Sequence, residues 1–246
     1  MKLLVLSFIF TISLFAQEKK QSVTLGAGLY TQTQPYKNVN DLLLPSPVIF
    51  YEYSLFYIRW TRFGAYFLGE KNENYSWGLS LTAQPRTYGY ESSDIIGMKE
   101  KKDSWEGGLA LSAKSGNSWL EITALTDLLN SETRWVINAE VGYDFKISKF
   151  SFYPSAILTY QSLAFNDYYY GVSKNEAISS GLQEYHADAG VSFALQTYVE
   201  YPLTNKLSTL LNIKASEISQ NSYKSPIVAK KQIYSGLVSL IYTFEY

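Results

Sequence analysis

The sequence predicts an all-β protein, a transmembrane antiparallel up-and-down β-barrel of the bacterial outer membrane. Three observations predict it: two-residue alternation with aromatic rings at the strand ends, connections that alternate between short and long, and a last strand that ends on an aromatic residue. The clearest alternation runs from Trp135 to Phe145. One face carries Trp135, Ile137, Ala139, Val141, Tyr143 and Phe145; the other carries Val136, Asn138, Glu140, Gly142 and Asp144. A half-buried strand of a secreted sandwich alternates in the same way. Ring placement separates the two. About ten residues at ~3.3 Å each, tilted by roughly 40°, rise about 25 Å, the height of the apolar band of an outer-membrane barrel with its aromatic girdles. The next strand repeats the design in reverse, from Phe150 and Phe152 through Ala156 and Leu158 to Tyr160.

Short connections are expected at Lys114 to Asn117, Lys146 to Lys149 and Pro202 to Lys206. Longer ones run over Arg86 to Asp103, Ser162 to Ala187 and Glu217 to Lys230. Short turns belong to the periplasmic side and long loops to the outside. The last strand places Val238, Leu240, Tyr242, Phe244 and Tyr246 on one face. This resembles the terminal signature of bacterial outer-membrane proteins.

Strand segments are read at 22–30, 46–53, 55–68, 75–86, 104–114, 117–127, 133–145, 149–161, 188–201, 206–216 and 231–246. These are eleven, whereas bacterial single-chain barrels use even numbers. The alternation slips phase between Thr61 and Gly64, which a bulge or a turn explains. A turn there gives twelve strands, the preferred count; fusing 46–68 gives ten, the alternative. In the longest loop, Ser173-Lys174-Asn175-Glu176 has capping-box spacing and Gly181 suits the position after a helix, so one short helix is expected over Ser173 to Ser180.

Composition agrees with a boundary protein. Only 17% of the 246 residues are charged, against about 25% in a typical soluble domain. Aromatics reach 16%, with 22 Tyr, 13 Phe and 5 Trp. Rings with an apolar body and a wet hydroxyl suit a membrane interface. The net charge of -1 argues against nucleic acid as a partner. Residues 1–16 form a signal peptide, with Lys2 before an apolar run from Leu3 to Phe15 and a small residue, Ala16, at the cut. Residues 17–246 are then one barrel domain.

The chemistry of the chain is sparse. There is no cysteine, which removes disulfides, thiol nucleophiles and Cys-type zinc sites. The one histidine, His186, stands beside Glu184 and Asp188; Ser162, Ser179, Ser180 and Ser225 are the hydroxyls that could reach it. Nothing in their spacing selects one, and the residue reads as a solvated loop histidine. Glu140 and Asp144 share the inward face, with Glu106, Glu121, Asp127 and Glu200 as further carboxylates and Arg59, Arg134 and Lys214 as counter-charges. They read as lumen lining, paired because an unpaired charge away from water is costly. Lys99, Lys101 and Lys102, with Glu100 and Asp103, read as a solvated loop. No catalytic, cofactor-binding or metal-binding residue is assigned.

Leu44-Pro45-Ser46-Pro47-Val48-Ile49 before Tyr51-Glu52-Tyr53, then Tyr169-Tyr170-Gly171-Val172 with Ser180-Gly181-Leu182 and Tyr185, then Ser225-Pro226-Ile227-Val228 occur in this order. Together they resemble the MipA/OmpV family of outer-membrane proteins from about residue 23 onward. The resemblance implies a structural role rather than an activity. Its named member is a scaffold linking a membrane-anchored lytic transglycosylase to a bifunctional penicillin-binding murein synthase. The implied partners are these enzymes, besides outer-membrane lipid and lipopolysaccharide. The alternative is a small pore or solute uptake channel, decided by whether lumen charges such as Arg59, Lys214, Glu140 and Asp144 fill the interior.

Overall fold

A computed structural model describes residues 22–87, 89–129 and 134–245. The signal peptide expected at residues 1–16, the rim residues 17–21 and the terminal Tyr246 lie outside them. The wall begins with β1 (Ser22–Gln32), β2 (Leu42–Tyr53), β3 (Phe56–Arg59), β4 (Arg62–Lys71) and β5 (Tyr75–Arg86). It continues with β6 (Ser104–Ser115), β7 (Ser118–Asp127), β8 (Trp135–Tyr143), β9 (Phe145–Ile147) and β10 (Phe150–Gln161). Two helices, α1 (Leu163–Tyr170) and α2 (Lys174–Ser180), precede β11 (Gly190–Pro202) and β12 (Leu207–Glu217); α3 (Gln220–Tyr223) precedes β13 (Gln232–Glu245).

Every pairing is antiparallel between neighbours in sequence, and β13 closes on β1 from Ser22↔Glu245 to Gln32↔Ser235. β8 and β9 both pair with β10 and form one stave, so the thirteen segments make a closed barrel of twelve. The break between them has a local cause. Ser162 donates its backbone N–H to the Trp135 carbonyl, so even-numbered β10 residues turn their N–H toward β8. Pro154 has that parity and no N–H to give Tyr143, which stands opposite it, and the ladder lapses there and at the next position, where Asp144 faces Tyr153.

The ambiguous stretch at 55–68 is split by a turn, Trp60-Thr61, and β4 also carries a register shift between Tyr66 and Leu68. Twelve staves follow from the turn. β2 starts at Leu42 rather than Ser46, reaching past both of its prolines. The expected helix is present as α2. Ser173 and Glu176 form a reciprocal capping box, and Gly181 takes φ 73° at the C-terminus. Two further helices, α1 and α3, were not expected; each starts on a serine cap, Ser162 and Ser219.

The outside is apolar. Leu29, Leu81, Leu109, Val141, Leu158, Leu195 and Val238 are all exposed. Girdles bound this band: Phe63 with Trp105 and Trp135 with Tyr160 near one rim, Tyr51 with Tyr53, Phe145 with Phe152 and Tyr242 with Phe244 near the other. The inside holds buried polar residues and two apolar clusters. The larger joins Tyr36, Tyr90, Phe165, Tyr169, Ile227 and their neighbours from the long loops at one mouth. The smaller joins Val48, Leu210, Leu237 and Ile241 within the barrel.

Candidate functional site: lumen, cap and rim

Residues with inward parity meet in the lumen. Glu121 on β7 accepts hydrogen bonds from two arginines, Arg62 through both terminal nitrogens and Arg59 at 3.2 Å. Arg59 also donates to the Tyr66 hydroxyl at 2.7 Å and lies over the Tyr57 ring at 4.5 Å. Glu140 accepts from the Ser155 hydroxyl at 2.6 Å and from Gln196 at 3.2 Å, with Lys214 in electrostatic range. Asn138 bridges Thr123 and Thr159 at 2.9 and 2.7 Å. The expected lumen pairing thus takes form around Glu121. Arg62 was not among the expected counter-charges; it sits where the alternation slips phase, so its inward direction was hidden.

A second layer lies nearer the long loops. Arg86 meets Glu106 at 2.6 Å and Arg134 meets Asp127 at 3.3 Å, all four side chains within a tenth of full burial. Arg134 was expected as a counter-charge; Arg86 was not. Asp144 instead sits at the opposite mouth, paired with Lys114 at 2.5 Å. Glu200 lies near the end of β11, three residues before its turn.

Above the second layer, α1 fills the mouth with Phe165, Asn166 and Tyr169. Arg134 stacks under the Tyr168 ring at 3.4 Å, and Lys101 lies 5.3 Å from the same ring. Lys101 then pairs with Glu176 at 3.2 Å. This corrects the solvated reading of the lysine cluster: the Lys101 side chain is only 10% exposed, whereas Lys102 at 73% fits it. Burial alone would raise the Glu176 carboxyl. Hydrogen bonds from the Ser173 hydroxyl and backbone, the Lys101 charge and the Lys99 backbone N–H together hold it at about 2.

His186 is exposed, as expected, and both ring nitrogens face carboxylates, Asp167 at 3.3 Å and Glu184 at 3.5 Å. The hydrogen bond to Asp167 raises its pKa above the ordinary value. Three of the four candidate serines are engaged elsewhere. Ser162 caps α1, Ser180 donates to the Glu176 carbonyl, and Ser225 donates to the Tyr170 carbonyl. Among the described residues, the partners of both His186 ring nitrogens are carboxylates rather than a serine hydroxyl.

The short-turn rim presents Ser54-Leu55, Asn72–Asn74, Gly116-Asn117, Ser148-Lys149 and Leu203–Lys206. Lys114, Lys146, Lys149 and Lys206 are exposed on or beside three of these turns.

Residues 25–244 match the profile of the family described as MltA-interacting protein MipA. The chain is 28% identical over 250 residues to the putative outer membrane protein YiaT of Escherichia coli (strain K12), covering 96% of each. It is 25% identical over 251 residues to the MltA-interacting protein of Escherichia coli (strain K12), covering 100% of this chain and 99% of that one. It is 24% identical over 163 residues to outer membrane protein OmpV of Vibrio cholerae, covering 66% and 63%. With a closed twelve-stave wall, an apolar exterior and a family profile that runs from β1 to β13, the chain belongs to the MltA-interacting protein MipA family and is an outer-membrane β-barrel.

Proposed function

We propose that this protein is a non-catalytic, poorly conducting barrel that serves as an outer-membrane scaffold, presenting its short-turn rim to murein enzymes. The partners proposed are a lytic transglycosylase and a penicillin-binding murein synthase. The observation that carries the reading is the filled interior: Arg59 and Arg62 converge on Glu121 inside the barrel, and α1 sits in the mouth above. Charges in such an interior are held only when paired, and ion pairs that cross the lumen narrow the path left to ions. A relative bearing the name MltA-interacting protein over its whole length supports the choice of partner. The exposed lysines of the rim, Lys114, Lys146, Lys149 and Lys206, offer positive charge to an acidic partner surface.

The test combines two measurements. Planar bilayers should give low, irregular conductance, and affinity-tagged protein should co-purify with murein enzymes in a manner weakened by replacing the four rim lysines with glutamate. Large, steady, ion-selective currents would replace the scaffold by a pore. Unchanged co-purification of the charge-reversed protein would remove the rim lysines from the interface. The His186→Ala variant should behave as the parent in both measurements.

A further inference from the structure

The wall is incomplete in one place. β3 covers β2 only from Tyr53 to Phe50, with one further hydrogen bond from the Trp60 N–H to the Ile49 carbonyl. From Leu42 to Val48, β2 pairs with β1 on one side, and among the described residues no strand pairs with it on the other. This free edge is about 23 Å long at ~3.3 Å per residue. On the far side, β4 pairs with β5 only up to Ala83, so the β5 residues beyond it have no partner on that side either. A notch therefore separates the upper parts of β2 and β5, above the short β3–β4 hairpin.

Backbone parity shows that the notch is built into the sequence. Because the Ile49 carbonyl faces Trp60, the odd-numbered residues of β2 direct their backbone groups into the notch. Pro45 and Pro47 have this parity, so their missing N–H groups are the ones the open edge would have exposed. On β5, the Tyr75 carbonyl accepts from Asn72 on the β4 side, so odd residues face β4. Pro85 has that parity and lies just beyond the last β4 pair. Three prolines thus strip donors from both lips. Within Leu42–Val48 the Leu43 N–H is the one donor left facing the notch, so the edge is a poor template for another strand.

Behind the notch, the Gln32 side-chain amide donates to the Thr87 carbonyl at 3.3 Å near the outer end, and below it the lining is apolar. Leu44 shares the inward face with its pair partner Tyr30 and is 40% exposed. Tyr30 and Trp60 meet edge to face at 5.6 Å, and both pack on the cluster of Val48, Leu210, Leu237 and Ile241. Trp60 stands at the notch base in a left-handed conformation, φ 58°, the first position of a two-residue turn that favours glycine. A hydrogen bond from its indole N–H to the Ser46 hydroxyl, 3.0 Å, holds it there.

We propose that this notch is a lateral binding site for an acyl chain of an outer-leaflet lipid, which passes between Leu44 and Pro85 and lies against Trp60 and the apolar cluster behind it. The occupant follows from position: the β2 lip opens beside the exposed Leu29, which pairs with Pro45, the β5 lip reaches the girdle level of Trp105 at Pro85, and the prolines leave both poor in hydrogen-bond donors. The site is independent of the scaffold reading.

Tryptophan quenching tests it. Single-tryptophan proteins retaining Trp60, Trp105 or Trp119 are reconstituted in phosphatidylcholine vesicles with dibrominated acyl chains. Trp105 faces outward and Trp119 lies inside over Gly142 behind intact wall. Trp60 is expected to be quenched at least half as strongly as Trp105, and Leu44→Lys should bring it down to the level of Trp119. Only folded protein, recognised by heat-modifiable gel mobility, is measured. Should Leu44→Lys not fold, Leu42→Lys at the outer end of the same edge replaces it, with the same expected loss. Quenching of Trp60 no greater than that of Trp119 overturns the proposal, as does quenching that the lysine leaves unchanged, which would mean bromine acts through the wall from outside.

Discussion

Arg62 and Glu121 face each other inside the barrel from β4 and β7, two guanidinium nitrogens on two carboxylate oxygens, and Arg59 shares the same carboxylate. Glu121 therefore answers two bases, and Arg59 also reaches Glu52 at 3.5 Å. The Glu121→Gln variant should lose about 3 kcal/mol of barrel stability, because it leaves the mostly covered Arg62 without its carboxylate while Arg59 keeps Glu52. Replacing Arg59, Arg62 and Glu121 together by methionine should recover most of that loss. Urea titration of the refolded barrel in lipid vesicles reads both.

The two faces of β8 predict opposite sensitivities. Val141 is 54% exposed on the outside, midway along the β8–β9 stave. Val141→Arg should cost about 2–4 kcal/mol at the bilayer midplane. Asn138 points inward between Thr123 and Thr159, and Asn138→Arg should be milder. Folding yield into vesicles, followed by gel mobility, compares the pair. Equal or reversed defects would show that the faces are assigned wrongly.

Absence of cysteine makes sidedness directly measurable. Ile178 on α2 is 75% exposed, and Lys149 is exposed on a short turn. On whole cells, a polyethylene-glycol maleimide too large for porins should label Ile178→Cys and spare Lys149→Cys. Permeabilising the outer membrane should expose the second. The opposite pattern would invert the barrel.

Glu176 gives the cap an acid-labile clasp. Its folded pKa of about 2 lies below its ordinary 4.5. The clasp therefore contributes fully above pH 4.5 and is lost as pH falls toward 2. Protease cutting or hydrogen exchange in residues 89–103 should rise across that window. Glu176→Gln should show the faster rate already at neutral pH, while the wall strands stay protected in both.

The barrel was legible where patterns are local. The bounds of β5 and the capping box of α2 follow from residues a few positions apart. The segment read at 46–53 stops short of Leu42 at Pro45, which argues against a strand interior; Pro45 and Pro47 are both tolerated because that side has no partner. The Trp60-Thr61 turn carries no turn residue, so the split at 55–68 stayed open between bulge and hairpin. α1 hides in Leu-Ala-Phe-Asn-Asp-Tyr-Tyr-Tyr, an aromatic run that favours strand over helix, and only the Ser162 cap marked it. Lumen partners such as Arg86 with Glu106 depend on register across separate strands, which spacing along the chain does not encode.

The loop cluster also constrains how the molecule is made. The loop between β1 and β2, residues 33–41, meets the last loop across the β1–β13 seam: Tyr36 bridges Val228, Lys37 donates to the Ile227 carbonyl, and Ala229 donates to the Pro35 carbonyl. These contacts join residues nearly two hundred positions apart, so they form only once the two ends of the wall have met. Zipping the seam and fastening the lid are then a single event. A half-assembled sheet, still open between its first and last staves, lacks the part of the lid that joins residues 35–37 to 227–229, and closing the wall completes it.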